Sequence, residues 1–432
     1  MIAYTLERRK KMLFDCLKKG TAPNRVVSYA KEYLMQNGFE ELYYDKIFHP
    51  IHGGKYFVTP FPDVLFAFTV GEKIKYLQSM RMAFAHLDQP CFKIKGKPDH
   101  KNFGCGQLNV EIYGGMTEHT WFDRPLGIAG MVALRGEEAF EPEIISYDSK
   151  RPVAIIPGIA IHMKRDMNEG WKIDRQKELL PVIGLGKQWT EGSFLRFLGT
   201  ELEVDPDEIL SYDLTLYNDE QPRYVGINDD LIVSPRLDNL TSVCALLEAI
   251  TEADREDGIN LIGLFHNEEV GSVSKSGADS TLLMGILKQI FHALTCSDDM
   301  LRASLGRSYY LSVDGAHGAH PNYPECSDIT SRVILGEGVA IKTSSTGTYA
   351  SDCRMKAIMT GLAEKYDILL QEMTNRNTIR GGSTLGPMIG AGTPMHGCDI
   401  GVPMWAMHSA METISKNDYE ALCQLLTAFL ND

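Results

Sequence analysis

Three short apolar runs, each stopping at a polar residue, set the strongest limit on what this chain can become. Arg81 to His86, Asn260 to Phe265 and Tyr309 to Val313 read as buried strands, and each runs straight into ionisable or amide side chains. Between them lie helical patterns. One has apolar residues at 237, 240, 243, 247 and 250, and a terminal one carries Tyr419, Leu422, Leu426 and Phe429. Strands alternating with such helices predict an α/β sheet.

The stretch from 93 to 233 has another texture, with short β-like runs, the turn Tyr113-Gly114-Gly115 and prolines at 125, 142, 152 and 157. It reads as an inserted β-rich domain. Residues 1–92 and 234–432 must then form one discontinuous domain, because neither piece alone has enough strands for a covered sheet. The 432 residues also exceed the usual span of one hydrophobic core.

Ligands of open α/β sheets gather outside the carboxyl ends of the strands, so the polar residues that follow apolar runs are the candidates for chemistry. His86 and Asp88 follow the first run, His266-Asn267-Glu268-Glu269 the second, and Asp314 the third. His408 follows Met404 to Met407, and Asp238 stands where a helix begins. Singly, each has a plain structural explanation: His86 as a satisfied core histidine, Asp238 as an N-terminal cap, Glu268-Glu269 as an acidic helix start favoured by the dipole. Those explanations leave their joint placement unexplained.

Two histidines and three carboxylates suit two divalent cations, since zinc, cobalt and manganese all accept imidazole and oxygen donors. His86 and Asp314 would serve one ion and Glu269 and His408 the other, with Asp238 bridging. Such a pair stabilises attacking and leaving oxygens together. Adjacent side chains at a strand end diverge, so Glu268 is left to act as general base, taking a proton from the attacking water and passing it to a leaving amine. Asp88, two residues beyond His86, suits the task of orienting that imidazole.

Composition narrows the partners. Lys and Arg total 43 against 57 Asp and Glu, a formal charge of -14 that argues against nucleic acid and anionic membranes. The dense basic cluster Arg8-Arg9-Lys10-Lys11 reads as the solvated face of an amphipathic helix. No secretory signal and no apolar stretch of spanning length is apparent, and nine scattered cysteines without a C-x-x-C pair suit reduced thiols in a cytoplasmic protein.

Several longer motifs stand in order: Ala85-His86-Leu87-Asp88, Tyr113-Gly114-Gly115 with Trp121-Phe122-Asp123-Arg124, Ala160-Ile161-His162, and Ser234-Pro235-Arg236-Leu237-Asp238-Asn239. Asn267-Glu268-Glu269-Val270-Gly271-Ser272, His320-Pro321-Asn322-Tyr323 and Met407-His408-Ser409 complete the set. From about residue 20 onward the chain resembles the aspartyl aminopeptidases among the dinuclear zinc metallopeptidases.

The resemblance implies a mixed-sheet metallopeptidase domain interrupted by a butterfly-type β-rich dimerisation domain, with dimers assembling into a dodecamer. It places the metal ligands on His86, Asp238, Glu269, Asp314 and His408, the acid/base on Glu268 and the orienting carboxylate on Asp88. It also implies that His162 reaches into a neighbouring subunit's site, that Lys342 and Tyr349 line a substrate pocket favouring N-terminal Asp or Glu, and that His320 binds substrate. Three departures bear on that pocket: His266 where the family has Asp, Met116 where it has Gly, and a missing Trp around Glu118. An aminopeptidase of neutral or broad specificity and a related two-metal carboxypeptidase or deacylase remain as rivals. A non-catalytic relative would have no need of an intact Glu268, and adjacent Glu268 and Glu269 are poorly placed to flank a sugar bond.

Overall fold

Alternate residues of the central strands are apolar on both sides, so these strands must be covered on both faces. In the computed structural model, which describes residues 2–74, 79–186, 188–379 and 381–432, they are. A nine-stranded mixed sheet runs in the order Glu40–Leu42, Lys55–Phe61, Val64–Val70, Ile259–Phe265, Met80–His86, Tyr309–Val313, His396–Gly401, Val339–Thr343, Leu370–Thr374. Met80–His86 lies parallel to both Ile259–Phe265 and Tyr309–Val313, with Phe265 opposite His86. The three strands that carry candidate residues therefore end side by side.

Ala83, Ala85, Ile262, Leu264, Leu311 and Val313 face one layer, which includes the helix Leu237–Thr251, buried as far as Ile250, the helices Lys416–Asn431 and Cys353–Tyr366, and the two N-terminal helices Ile2–Lys19 and Pro23–Gln36. Met82, Phe84, Leu261, Phe265 and Tyr310 face the other, where Leu282–Ala293 and Asp298–Leu305 pack. Gly263 lets the rings of Phe84 and Phe66 close over the strand, since a Cβ there would lie 2.8 Å from Phe84. A five-stranded sheet, which includes Leu231–Ser234, Glu412–Ser415, Pro403–Trp405 and Ala316–His317, completes this unit.

Chain contacts divide the molecule into two compact units, one of residues 1–88, 222–407 and 412–432 and the other of residues 89–221 and 408–411. The second unit contains a six-stranded sheet, Glu143–Asp148, Leu126–Leu134, Ile209–Asn218, Cys91–Asn102, Cys105–Tyr113 and Val182–Leu185, antiparallel throughout. Phe92, Trp121, Ile128 and Leu216 form its core with Phe194 and Leu198 of the helix Ser193–Leu202.

One expectation is corrected. Arg9 is not on a solvated face: it is 6% exposed, its Nε donates to Glu248 at 2.7 Å, and Nη1 bonds Glu420. Arg8 joins it on Glu248 at 3.0 Å. Two helices far along the sequence supply carboxylates that compensate the buried guanidinium, ties that the local pattern at 8–11 does not reveal. All nine cysteines are free thiols, and among the described residues no helix is long and apolar enough to cross a membrane.

Candidate metal centre

His86 is the last residue of its strand and is 1% exposed. Its Nδ1 lies 2.9 Å from the backbone carbonyl of Asp88, so Nδ1 carries the proton and Nε2 is the ligating nitrogen. Nε2 points at two carboxylates, 3.3 Å from Asp238 Oδ1 and 3.5 Å from Asp314 Oδ1. His86, Asp238 and Asp314 can each offer a ligand atom within 4.8 Å of the others, and so can His86, Glu268 and Glu269.

Tertiary contacts hold each carboxylate in place. Asp238 follows Arg236, whose backbone is left-handed at φ 63 and whose Nη2 donates to Leu17 O at 2.7 Å. The Asp238 N–H donates to Glu412 Oε2 at 2.9 Å, and the Asn239 side chain donates to Val313 O at 2.8 Å. Asp314 donates its N–H to Ile400 O at 2.9 Å, and Gly401 permits this approach because a Cβ there would fall 1.7 Å from the Asp314 carbonyl. Asn267, also left-handed at φ 63, starts the tight turn bearing Glu268 and Glu269. Left-handed non-glycine residues are uncommon and gather where geometry is functionally constrained.

Asp88 organises that turn. Its two carboxylate oxygens accept the N–H groups of Glu268 at 3.2 Å and Glu269 at 3.1 Å, while His86 Nδ1 stands 3.6 Å away. The imidazole is thus oriented more closely by the Asp88 carbonyl than by its carboxylate. Burial would raise the Asp88 pKa, but hydrogen bonds from His266 and His86 carry it well below the usual carboxylate range. His266, where the family has Asp, places Nδ1 3.8 Å from Asp88.

The electrostatics call for cations. Burial opposes a charged His86, yet Asp238, Asp314 and Asp88 raise its pKa well above the ordinary value. Glu268 is pushed up to about 8 by burial and by the negative charges of Asp314, Glu269 and Asp88, against the lowering influence of His86. Asp88, Asp238, Asp314 and Glu269 crowd the imidazole, with Lys342 against Asp314 at 3.4 Å, and imidazole with carboxylate oxygens is the donor set zinc accepts.

The remaining candidates are placed as follows. Lys342 is 2% exposed, with Nζ 3.0 Å from Gly315 O, 3.4 Å from Asp314 Oδ2 and 5.3 Å from the centre of the Tyr349 ring. Burial lowers its pKa, but Asp314 and Tyr349 hold it above the usual lysine value. A solvated lysine at a strand end is therefore ruled out. Tyr349 packs with Ala316, Val333, Ala340 and Met373. His320 lies outside that cluster, its ring near Tyr323 and Trp405. In the second unit His162 is exposed on a turn, and His408, directly after Met407, has Nδ1 2.6 Å from Gly115 O. Sequence reasoning missed Glu412. Its only signal was an acidic residue opening the apolar run before the last helix, yet it is 2% exposed and holds the Asp238 backbone.

A buried imidazole locked at Nδ1, facing carboxylates at the ends of parallel strands in a covered mixed sheet, defines a metal-binding α/β protein of the hydrolase kind. More particularly, the chain belongs to the M18 family, described as aminopeptidase I zinc metalloproteases, whose pattern matches residues 16–430. It is an aminopeptidase of that zinc metalloprotease type. It is 36% identical over 422 residues to a Clostridium novyi (strain NT) protein named Probable M18 family aminopeptidase 2, covering 97% of this chain and 98% of that one. A like-named protein of Ectopseudomonas mendocina (strain ymp) is 34% identical over 421 residues, covering 96% of each. A chain in the cryo-EM structure of the Ape4 and Nbr1 complex superposes with a TM-score of 0.94 at 29% identity, over 99% of this chain and 86% of that one. The M18 aminopeptidase of Thermotoga maritima shares the fold at 20% identity, with a TM-score of 0.87 over 99% of this chain and 97% of that one.

Proposed function

We propose that the protein removes the N-terminal residue from peptides with two divalent ions, zinc foremost and cobalt or manganese as alternatives, held by His86, Asp238, Glu269, Asp314 and His408. The convergence of His86 Nε2 on Asp238 and Asp314 carries this reading. His408 enters through its chain position beside Met407 and through the hydrogen bond that its Nδ1–H donates to Gly115 O, which leaves the lone pair on Nε2. When bound, the ions supply Lewis acidity that makes a water a nucleophile near neutral pH and polarises the scissile carbonyl.

The protein's own groups do the rest. Glu268, held on the Asn267 turn by Asp88, takes the proton of the attacking water and delivers it to the departing amine. Asp88 positions that turn and, through its carbonyl, the imidazole of His86. Lys342 and Tyr349 are assigned to recognition of an acidic N-terminal side chain, the ammonium attracting its carboxylate, and His320 to binding of the substrate peptide. The segment 93–233 is assigned to assembly, with His162 offered to a neighbouring subunit in a cytoplasmic dodecamer; dodecamers are formed by a solved relative, the mApe1 of yeast.

One observation favours a second reading, an aminopeptidase of neutral or broad specificity: Lys342 already contacts Gly315 O and Asp314, so its charge also serves the candidate ligand itself. Aminoacyl p-nitroanilides of Asp, Glu, Leu and Ala, assayed with metal-stripped and metal-restored protein, separate the two. Activity that returns with metal, is highest on Asp and Glu, and falls about 10²–10⁴-fold in Glu268→Gln with metal retained is expected. Full turnover in that variant would remove Glu268 from its role, and N-acylated substrates cleaved in preference to free amines would replace the aminopeptidase reading by a deacylase.

A further inference from the structure

Beside the metal centre, within the same unit, the loop between the strands Ala316–His317 and Val339–Thr343 encloses a cavity of about 270 Å³ against the end of the strand Leu370–Thr374. Its walls include His317, His320, Asp328, Arg332 and Arg376. The Nδ1 of His320 accepts the Asn322 N–H at 3.2 Å, which puts the ring proton on Nε2 and makes the neutral imidazole a hydrogen-bond donor. Arg376 Nη1 donates to the Glu325 carbonyl. A guanidinium has five N–H donors, so this bond fixes the group against the wall while using one of them.

The cavity's carboxylate is turned toward its own loop. Asp328 Oδ1 accepts the N–H groups of Thr330 at 3.0 Å and Ser331 at 2.8 Å, and these bonds hold its pKa below the usual value. Two guanidiniums and a donor imidazole against one engaged carboxylate make a net positive wall in a chain of formal charge -14. Arginine forks match a carboxylate in geometry as well as charge.

Position identifies what brings that carboxylate. His317 is three residues beyond Asp314, no more than about 11 Å along an extended chain. Met373 and Thr374, which also line the cavity, stand in register with Lys342 and Thr343, and Lys342 touches Asp314. An extended peptide advances about 3.3 Å per residue, so a substrate with its first residue at Asp314 brings its third into reach of the cavity.

We infer that this cavity binds a carboxylate on the third residue of the peptide substrate, either an acidic side chain or the free end of a tripeptide. The inference rests on the placement of peptide hydrolysis at the metal centre.

The test uses the metal-loaded full chain and peptides sharing the N-terminal residue X best cleaved as a p-nitroanilide: X-Ala-Ala, its amide, X-Ala-Glu-Ala amide and X-Ala-Gln-Ala amide. Free acid over amide and Glu over Gln should each favour the carboxylate about tenfold in kcat/KM, through KM, as one charge-assisted bond provides. Elevation of only one ratio identifies chain end or side chain as the source. Arg376→Met and, separately, Arg332→Met should bring the ratios toward one, with Arg376→Lys retaining part. Each ratio is taken within one protein, so a variant that merely loses folded material leaves it unchanged. Ratios near one in the unaltered protein, with the peptides cleaved, overturn the cavity's role and leave the aminopeptidase reading standing, as do elevated ratios that survive both Arg→Met changes. Failure to cleave any peptide or p-nitroanilide overturns the catalytic placement and this inference with it.

Discussion

Asp88 offers the sharpest single perturbation, because its carboxylate receives two backbone N–H groups of the turn that carries Glu268 and Glu269 and is 1% exposed. Hydrogen bonds to a charged group contribute about 1.5–3 kcal/mol each. The turn residues are only half-buried, so water can replace part of what is lost, and Asp88→Ala should cost about 2–4 kcal/mol of apparent unfolding free energy. Asp88→Asn keeps one acceptor oxygen and should cost roughly half as much. Because the turn presents candidate ligands, metal affinity should fall about 10–100-fold in the Ala variant. Urea unfolding in the presence of chelator reads the first effect without interference from bound metal, and titration of stripped protein with zinc reads the second. A chelated Ala variant that unfolds at the unaltered midpoint and binds zinc with undiminished affinity would refute the view that this carboxylate builds the site.

Lys342→Met should lower kcat/KM for Asp and Glu p-nitroanilides about tenfold or more relative to Leu and Ala; equal losses on all four would mean that Lys342 serves the metal centre alone. Mixing inactive Glu268→Gln with inactive His162→Ala protein, after subunit exchange is demonstrated by mass, should restore activity if His162 works across a subunit boundary, and confirmed hybrids without activity would return His162 to the surface. Asp418, fully buried and accepting the N–H groups of Gly336 and Gly338, is pushed up to about 6 by burial. A raised carboxylate makes the folded state bind its proton more tightly, so this group's contribution is fully present below about pH 4 and falls by about 3 kcal/mol as the pH climbs to 6. Chelated Asp418→Asn protein should lack that slope, and parallel stability curves for variant and unaltered protein would contradict it.

Local patterns determined much of this protein. The runs at 81–86, 260–265 and 309–313 became three neighbouring strands, and the helical periodicities at 237–250 and 419–429 became buried helices of the same layer. Alternation and helical spacing depend on residues within a turn or two, and an apolar run cut short by a polar residue already marks a strand end. His86, Glu268, Glu269 and Asp314 could be singled out for that reason, and Asp238 because a helix begins there. Only the tertiary structure decided what each side chain does there. It set Glu412 on the Asp238 backbone across 174 residues, Asp88 on the Glu268 and Glu269 backbone across 180 and 181, and Arg9 between two distant helices. It also buried Lys342 against Asp314. These bonds form between groups that approach only after the sheet has ordered its strands, and the energy of a buried charge depends on every element packed around it, so a window of neighbouring residues carries no trace of them.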